Sequence, residues 1–205
     1  MIIEVNPYYL DPRIIHQVVE ELKKGGLIVV PTDTVYAVAC DLNSKKGLTA
    51  LAKHKQIKLS KANFSIICKD LSDISNYVKQ ISRPIFEVLK HNLPGPFTFI
   101  LPATNEVQRL FDSNKKEVGI RIPDQEVLHA IVEALGNPIV TTSLHNEEDT
   151  IQEYFADPLA IYEKFEHEFE IILDAGAGQL EVSTVVDCTT DAPEIVRQGI
   201  GILEL

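Results

Sequence analysis

The chain has too few cations for an indiscriminate nucleic-acid binder: 19 lysines and arginines stand against 30 aspartates and glutamates, a formal net charge of -11. Non-specific affinity for a phosphate backbone comes from cations displacing counterions, so any such contact must rest on a local basic patch. Cysteine is equally scarce. Cys40, Cys68 and Cys188 are odd in number, lie in or beside apolar runs and lack metal-ligand spacing, which predicts buried reduced thiols. The six histidines show neither HxH nor HExxH spacing, so no intrinsic metal site is expected. No basic start followed by an apolar signal segment is present, and no uncharged run approaches the length of a membrane span. A soluble, cytoplasmic protein with no membrane partner is the expectation. Low-complexity segments, clear internal repeats and any obvious linker before residue 145 are also missing. A length of 205 residues with 45% hydrophobic and 24% charged content then suits one domain over 1–205.

What is present begins at Gly25-Gly26, where Leu27 to Val30 follows as a β-branched run that predicts a strand buried on both faces. Pro31 ends it. Val35 to Cys40 is again nearly all apolar, so Thr32-Asp33-Thr34 must occupy a turn where the chain leaves the core. Two readings of that turn stand side by side. Thr and Asp are ordinary capping and turn residues; two hydroxyls and a carboxylate at the carboxyl end of a sheet strand are also placed to meet a polar substrate or a hydrated cation.

The rest of the chain alternates helix and strand signals. Ile2 to Val5 suits an edge strand, and Ile14, Ile15, Val18, Val19 and Leu22 recur at helical spacing between Asp11-Pro12 and Gly25-Gly26. A second helix over Ser44 to His54 runs into the most basic stretch of the chain, Lys53 to Lys61. A strand over Phe64 to Cys68, helices around Ile74 to Val78 and Pro84 to His91, and a Pro-Gly-Pro turn delivering the strand that ends at Pro102 follow. Val118 to Pro123 reads as a strand interrupted by Arg121, and a guanidinium among apolar neighbours needs an anion, either a structural carboxylate or a ligand. Val127 to Leu135 predicts a helix ending at Gly136, and Ile139 to Ser143 is an apolar strand ending in hydroxyls. The acidic segment Glu147 to Glu170 is expected to hold a helix in a solvated outer layer. Strands over Ile171 to Asp174, Thr184 to Asp187 and Ile195 to Gly199 close the chain.

Several nucleotide and hydrolase motifs fail. No GxxxxGK[ST] loop occurs, and Gly176-Ala177-Gly178 leads back to a strand rather than a helix, so it predicts a turn and not a dinucleotide site. Ser143 and His145 lack an assignable acid to complete a triad.

Six strings remain: PTDTVYAV at 31–38, LPGPFTFIL at 93–101, VGIRIP at 118–123, PIVTTS at 138–143, STVVD at 183–187 and VRQG at 196–199. In this order and at this spacing the chain resembles the YrdC/YciO family over nearly its whole length. The resemblance implies a single α/β domain of the YrdC/RibB type, a twisted mixed sheet with flanking helices around a large open cavity. It also implies chemistry. Well-understood members are L-threonylcarbamoyladenylate synthases, nucleotidyltransferases that join L-threonine, bicarbonate and ATP into threonylcarbamoyl-AMP and pyrophosphate for tRNA modification, and members are described as binding tRNA or double-stranded RNA.

Carried over by position, the resemblance gives Lys55 and Ser143 catalytic roles. It assigns Thr32, Thr34, Arg121 and Ser183 to threonine and the substrate, and Lys55, Lys58, Ser143, His145 and Arg197 to the nucleotide, with Mg2+ arriving on ATP. Arg121 would hold the amino-acid carboxylate, for which a bidentate guanidinium is suited. The family's KxR reads Lys55-Gln56-Ile57 here, its TTSAN reads Thr141-Thr142-Ser143-Leu144-His145, and its YGL reads Tyr36-Ala37-Val38. A lysine at 58 offers no planar fork in place of the missing arginine. With Asn63-Phe64, these departures put the chain nearer the YciO branch. The expectation is an enzyme acting on ATP, threonine and bicarbonate, or hydrolytically on threonylcarbamoyl-AMP. The alternative is an RNA-binding module with little or no synthase activity. A sugar-phosphate enzyme of the RibB branch is disfavoured, since its acidic metal-binding motif is missing.

Overall fold

Asp11 opens the first helix, α1 (Pro12–Lys23), by accepting the Arg13 N–H at 2.9 Å, and Gly25 at φ +81° reverses the chain after it. That position suits glycine twice, because an added Cβ would also come within 2.9 Å of Lys46 and Ser44 atoms. The computed structural model describes residues 1–144 and 154–205. Its strands are β1 (Ile2–Glu4), β2 (Ile28–Val30), β3 (Ala37–Asp41), β4 (Ser65–Ile67), β5 (Phe97–Pro102), β6 (Glu117–Arg121), β7 (Ile139–Ser143), β8 (Ile171–Asp174), β9 (Thr184–Asp187) and β10 (Glu194–Arg197). The other helices are α2 (Lys45–His54), α3 (Leu71–Ile74), α4 (Arg83–Asn92), α5 (Asn105–Leu110), α6 (Glu126–Leu135) and α7 (Pro158–Phe165), with a 3-10 turn at Leu59–Lys61.

The ten strands of the described residues join one mixed, twisted sheet in the order β1-β8-β2-β3-β7-β4-β6-β5-β9-β10. Pairing is parallel between β1 and β8, β8 and β2, β4 and β6, and β5 and β9, and antiparallel elsewhere. This is the α/β architecture expected from the sequence.

Side chains alternate across the sheet with period two, and the two faces have different fates. Val29, Val38, Cys40, Ile66, Val140, Ile120, Phe99, Leu101 and Val186 point into one large core, shared with residues of α2 and α4. On the opposite face, Ile28, Val30, Ala37, Ala39, Ile67, Ile139, Ile171 and Leu173 pack beneath α1 and α6 through Val18, Leu22, Leu128, Ile131 and Val132. Those two helices cover only the half of that face around β8, β2 and β3.

Three expectations need correction. The helix placed around Ile74 to Val78 is α3 and lies earlier, because the Asp70 carboxylate caps the N–H groups of Ser72 and Asp73, while Val78 leaves to bridge Ala103. Helix α5 was not anticipated. The acidic segment is not purely a solvated layer: Ile161 of α7 and Phe169 are buried in the large core, so α7 is amphipathic. The predicted extent of that segment also includes residues 145–153, outside the described residues.

Candidate functional site

The uncovered half of the second face is a cavity of about 620 Å3, within the usual range for small-ligand sites. Strand alternation builds its floor. Ser65 on β4 has Gly119 on β6 and Thr141 on β7 as its cross-strand neighbours, Gly119 has Ile100 on β5, Thr98 has Val185 on β9, and Ser143 has Ala37 on β3. Ser65, Thr98, Gly119, Thr141 and Ser143, set among the larger Ile100 and Val185, leave space of the kind that branched aliphatics fill beneath α1 and α6. A Cβ on Gly119 would already approach Ser65 Oγ and Thr98 Cγ2 to 3.3 Å.

Arg121, last residue of β6, lines this cavity with only 7% of its surface exposed. Its Nη2 donates to Asp33 Oδ1 at 2.9 Å and to Thr34 Oγ1 at 3.1 Å, while Nε is buried without a partner among the described residues. The other Asp33 oxygen accepts the Asp124 N–H at 3.0 Å. Thr32 Oγ1 donates to the Val35 carbonyl and accepts the Thr34 N–H. The turn is therefore knitted internally: Thr32 closes it, and Asp33 supplies the carboxylate that a buried guanidinium requires. Burial is the largest influence on Arg121 and pushes its pKa down; Asp33 opposes that, and the charge of Arg197 lowers it further.

Arg197, on the exposed edge strand β10, donates through Nη2 to the Ser183 carbonyl at 2.8 Å and to Ser183 Oγ at 3.3 Å. Ser183 Oγ in turn lies 2.8 Å from Thr98 Oγ1. Lys115 and Lys116, on the turn before β6, add two more cations, and Glu117 is the one carboxylate in the lining among the described residues. A chain of net charge -11 thus gathers four cationic side chains around one concavity. Focusing of field lines in such a cleft raises the local concentration of anions.

Of the residues proposed from sequence, Arg121, Ser143, Ser183 and Arg197 line the cavity together. Thr32 and Thr34 are outside the lining; Thr34 touches Arg121, and Thr32 lies 3.0 Å from Thr34 Oγ1. Lys55, which caps the end of α2, and Lys58, which precedes the 3-10 turn, are not among the lining residues either. His145 falls outside the described residues. Sequence reasoning missed Lys115, Lys116, Thr98, Ser65 and Gly119. A signal was available for part of the floor: Ser65, Thr98, Gly119, Thr141 and Ser143 are small or hydroxyl-bearing residues on one face of β4, β5, β6 and β7, whereas Ile67 and Ile139 of the same face lie in the covered half.

A profile of the Sua5/YciO/YrdC family, described as "Telomere recombination", matches residues 20–199. An uncharacterized protein of Haemophilus influenzae is 38% identical over 200 residues, covering 96% of this chain and 94% of its own. The crystal structure of Escherichia coli YciO superposes with a TM-score of 0.88 at 34% identity, over 98% of this chain and 97% of that one. P. abyssi Sua5, solved in complex with L-threonine, shares the fold with a TM-score of 0.85 at 23% identity, over 97% of this chain and 57% of that one. The chain belongs to the Sua5/YciO/YrdC family.

Proposed function

We propose that the cavity binds an adenylate together with L-threonine, and that the chain acts on ATP, threonine and bicarbonate, or on threonylcarbamoyl-AMP. The observation that carries this reading is the cluster of Arg121, Arg197, Lys115 and Lys116 around a hydroxyl-lined floor in an otherwise acidic protein. The L-threonine complex of the P. abyssi relative supports the amino-acid half of the proposal. Arg121 has spent one nitrogen on Asp33 and Thr34 and keeps further donors, so a ligand carboxylate has a guanidinium to meet. Ser143 and Ser183 would orient the reacting groups, Arg197 would neutralise phosphate charge, and Lys55 and Lys58 would extend that neutralisation along the triphosphate.

Among the described residues no group of three His, Cys, Asp or Glu side chains converges as metal ligands would. Mg2+ would therefore enter bound to ATP rather than on protein ligands. In the synthase direction the threonine amine and bicarbonate condense with loss of water to the carbamate, whose oxygen attacks the α-phosphorus and releases pyrophosphate. In the hydrolytic direction water cleaves the carbamoyl–phosphate anhydride of threonylcarbamoyl-AMP to AMP and the threonine carbamate, which breaks down to threonine and carbon dioxide.

Calorimetry with Mg-ATP, AMP and threonine, followed by incubation with labelled threonine, bicarbonate and Mg-ATP and separately with threonylcarbamoyl-AMP, tests the proposal. Saturable binding and conversion in one direction support it. No heat with any of these ligands would overturn it. The RNA-binding reading draws on a different observation, the exposed Lys53, Lys58 and Lys61 in one short segment, and tight RNA binding without nucleotide binding would favour it.

A further inference from the structure

Lys115 stands apart from the other cations of the cavity in what it touches. Its Nζ donates to Lys61 O at 3.0 Å and to Ala62 O and Asn63 Oδ1, both at 2.5 Å. Among the described residues no carboxylate lies within ion-pair distance of it, whereas Lys24, Lys45 and Lys69 each have one. An ammonium has three hydrogens to give, and three neutral oxygens from one short segment take them. Two of those oxygens are carbonyls at the end of the 3-10 turn Leu59–Lys61, where backbone acceptors need a partner from outside the turn. Burial, and then the charge of Lys61, push the lysine's pKa down, as expected of an ammonium held among dipoles rather than beside an anion.

Both partners of this contact belong to the cavity: Ala62, Asn63 and Phe64 line one wall, and Ser113, Lys115 and Lys116 another. The acceptor segment is also the end of the basic run Lys53 to Lys61. We propose that Lys115 is a positioning residue, a tethered cation in a cage of three oxygens that fixes the Lys58–Phe64 segment and so sets where the basic run meets an anionic ligand. The second half of that statement rests on the nucleotide-binding reading of the cavity; the first half does not. Lys115 is thereby given a different task from Arg121 and Arg197, whose guanidinium groups border the ligand space.

The test compares wild-type protein with Lys115→Ala, which opens the cage, and Lys115→Met, which keeps the apolar stem and guards against simple loss of packing. The first readout is native-state cleavage by trypsin after Lys58 and Lys61, resolved by mass spectrometry. Removing a charge-assisted contact should speed cleavage there about tenfold in both variants. Methylammonium, small enough to occupy the emptied cage of Lys115→Ala, should restore protection, whereas tetramethylammonium at equal ionic strength has no N–H to donate and should not. Unchanged cleavage, or equal effects of the two amines, overturns the cage. The second readout is Mg-ATP affinity, expected to fall about tenfold in Lys115→Ala and to recover with methylammonium. Faster cleavage with unchanged affinity overturns the positioning role. If wild-type protein binds no adenine nucleotide, the functional reading fails on its own, and the cleavage arm still decides the cage.

Discussion

One face of one sheet is treated in two ways. Beneath α1 and α6 it carries Ile28, Val30, Ile139, Ile171 and Leu173, fully or nearly fully buried; beyond them it carries Ser65, Thr98, Gly119, Thr141 and Ser183 around open space. The change happens within single strands. β7 gives Ile139 to the covered half and Thr141 and Ser143 to the cavity, and β4 gives Ile67 to one and Ser65 to the other. Covering helices and bulky aliphatics therefore go together on β2, β7 and β8, and hydroxyl-bearing or small residues interrupt the aliphatics where the cavity opens. The site is made by withholding side-chain volume from a scaffold that the other face, closed along its length, keeps rigid.

Arg121 offers the largest expected effect, because it ties the open half to the turn after β2. Its side chain and that of Asp33 are 9% and 8% exposed. Arg121→Ala should lower stability by about 3–5 kcal/mol, the usual cost of stranding one partner of a buried ion pair. Urea unfolding of Arg121→Ala, Asp33→Ala and the double variant gives the coupling between them. Strong coupling with unchanged threonine and nucleotide affinity would make Arg121 a structural residue alone; loss of both stability and affinity would give it the two roles together.

The next pair of variants exchanges the two treatments. Leu128→Ala on the buried side of α6, at a fully buried position, should cost about 2–5 kcal/mol and leave ligand affinity untouched. Gly119→Val, by contrast, adds volume to the cavity floor against Ser65 and Thr98. It should cost about 1–3 kcal/mol in overpacking and abolish nucleotide binding. If Gly119→Val binds nucleotide like the wild type, the ligand lies elsewhere.

The elements were legible from sequence where period and punctuation agreed. Asp11 and Gly25 bracket α1, Gly136 in the left-handed conformation ends α6, and the apolar runs at Ile28, Ile139 and Ile171 became central strands. The α3 placement failed because a local cap at Asp70 outweighed the apolar spacing of Ile74 and Val78. The site was legible in part. Arg121, Ser143, Ser183 and Arg197 are on strands whose motifs could be recognised, and they converge. That Arg121 needs an anion followed from its neighbours, but that Asp33 answers it did not, since the two are separated by 88 residues and meet only through the sheet. Lys115 was invisible for the same reason. Nothing near it in sequence marks a lysine whose acceptors are backbone carbonyls more than 50 residues earlier.

Tyr36 tests how dry the closed face is. Its ring is 1% exposed, its hydroxyl donates to the Gly176 carbonyl at 2.7 Å, and it accepts the Ala175 N–H at 3.2 Å. Burial above all pushes its pKa up to about 12, and Tyr77 is likewise pushed up to about 12. A folded-state pKa raised above the unfolded value means that the neutral phenol is favoured by folding. The stability it contributes is complete below about pH 10, the ordinary value, and is lost as pH rises through about 12. Ultraviolet titration should therefore show Tyr36 and Tyr77 ionising above the ordinary phenol range. Ionisation of Tyr36 and Tyr77 near pH 10 with the fold intact would mean that water reaches the closed face.

The smallest effect expected is on RNA. If the cations of the open half were to serve a polynucleotide, Lys116, Arg121 and Arg197 are the ones available in the cavity lining, since Lys115 gives its hydrogens to oxygens of Lys61, Ala62 and Asn63, and the acidic remainder of the chain repels the strand on either side. Binding through about three phosphates gives a log–log salt slope no steeper than about −3, with an affinity already weak at physiological salt. Fluorescence anisotropy of a labelled duplex RNA titrated at several salt concentrations measures that slope directly. A steeper slope would show that the exposed Lys53, Lys58 and Lys61 join the cavity cations in one continuous basic track, so that the open half ends outside the cavity rather than at its rim. Tight binding that survives high salt would require contacts to bases or to the 2′-hydroxyls instead of phosphates. Competition by Mg-ATP then separates the two surfaces. RNA displaced by nucleotide shares the cavity, and RNA that is not displaced binds the basic run alone.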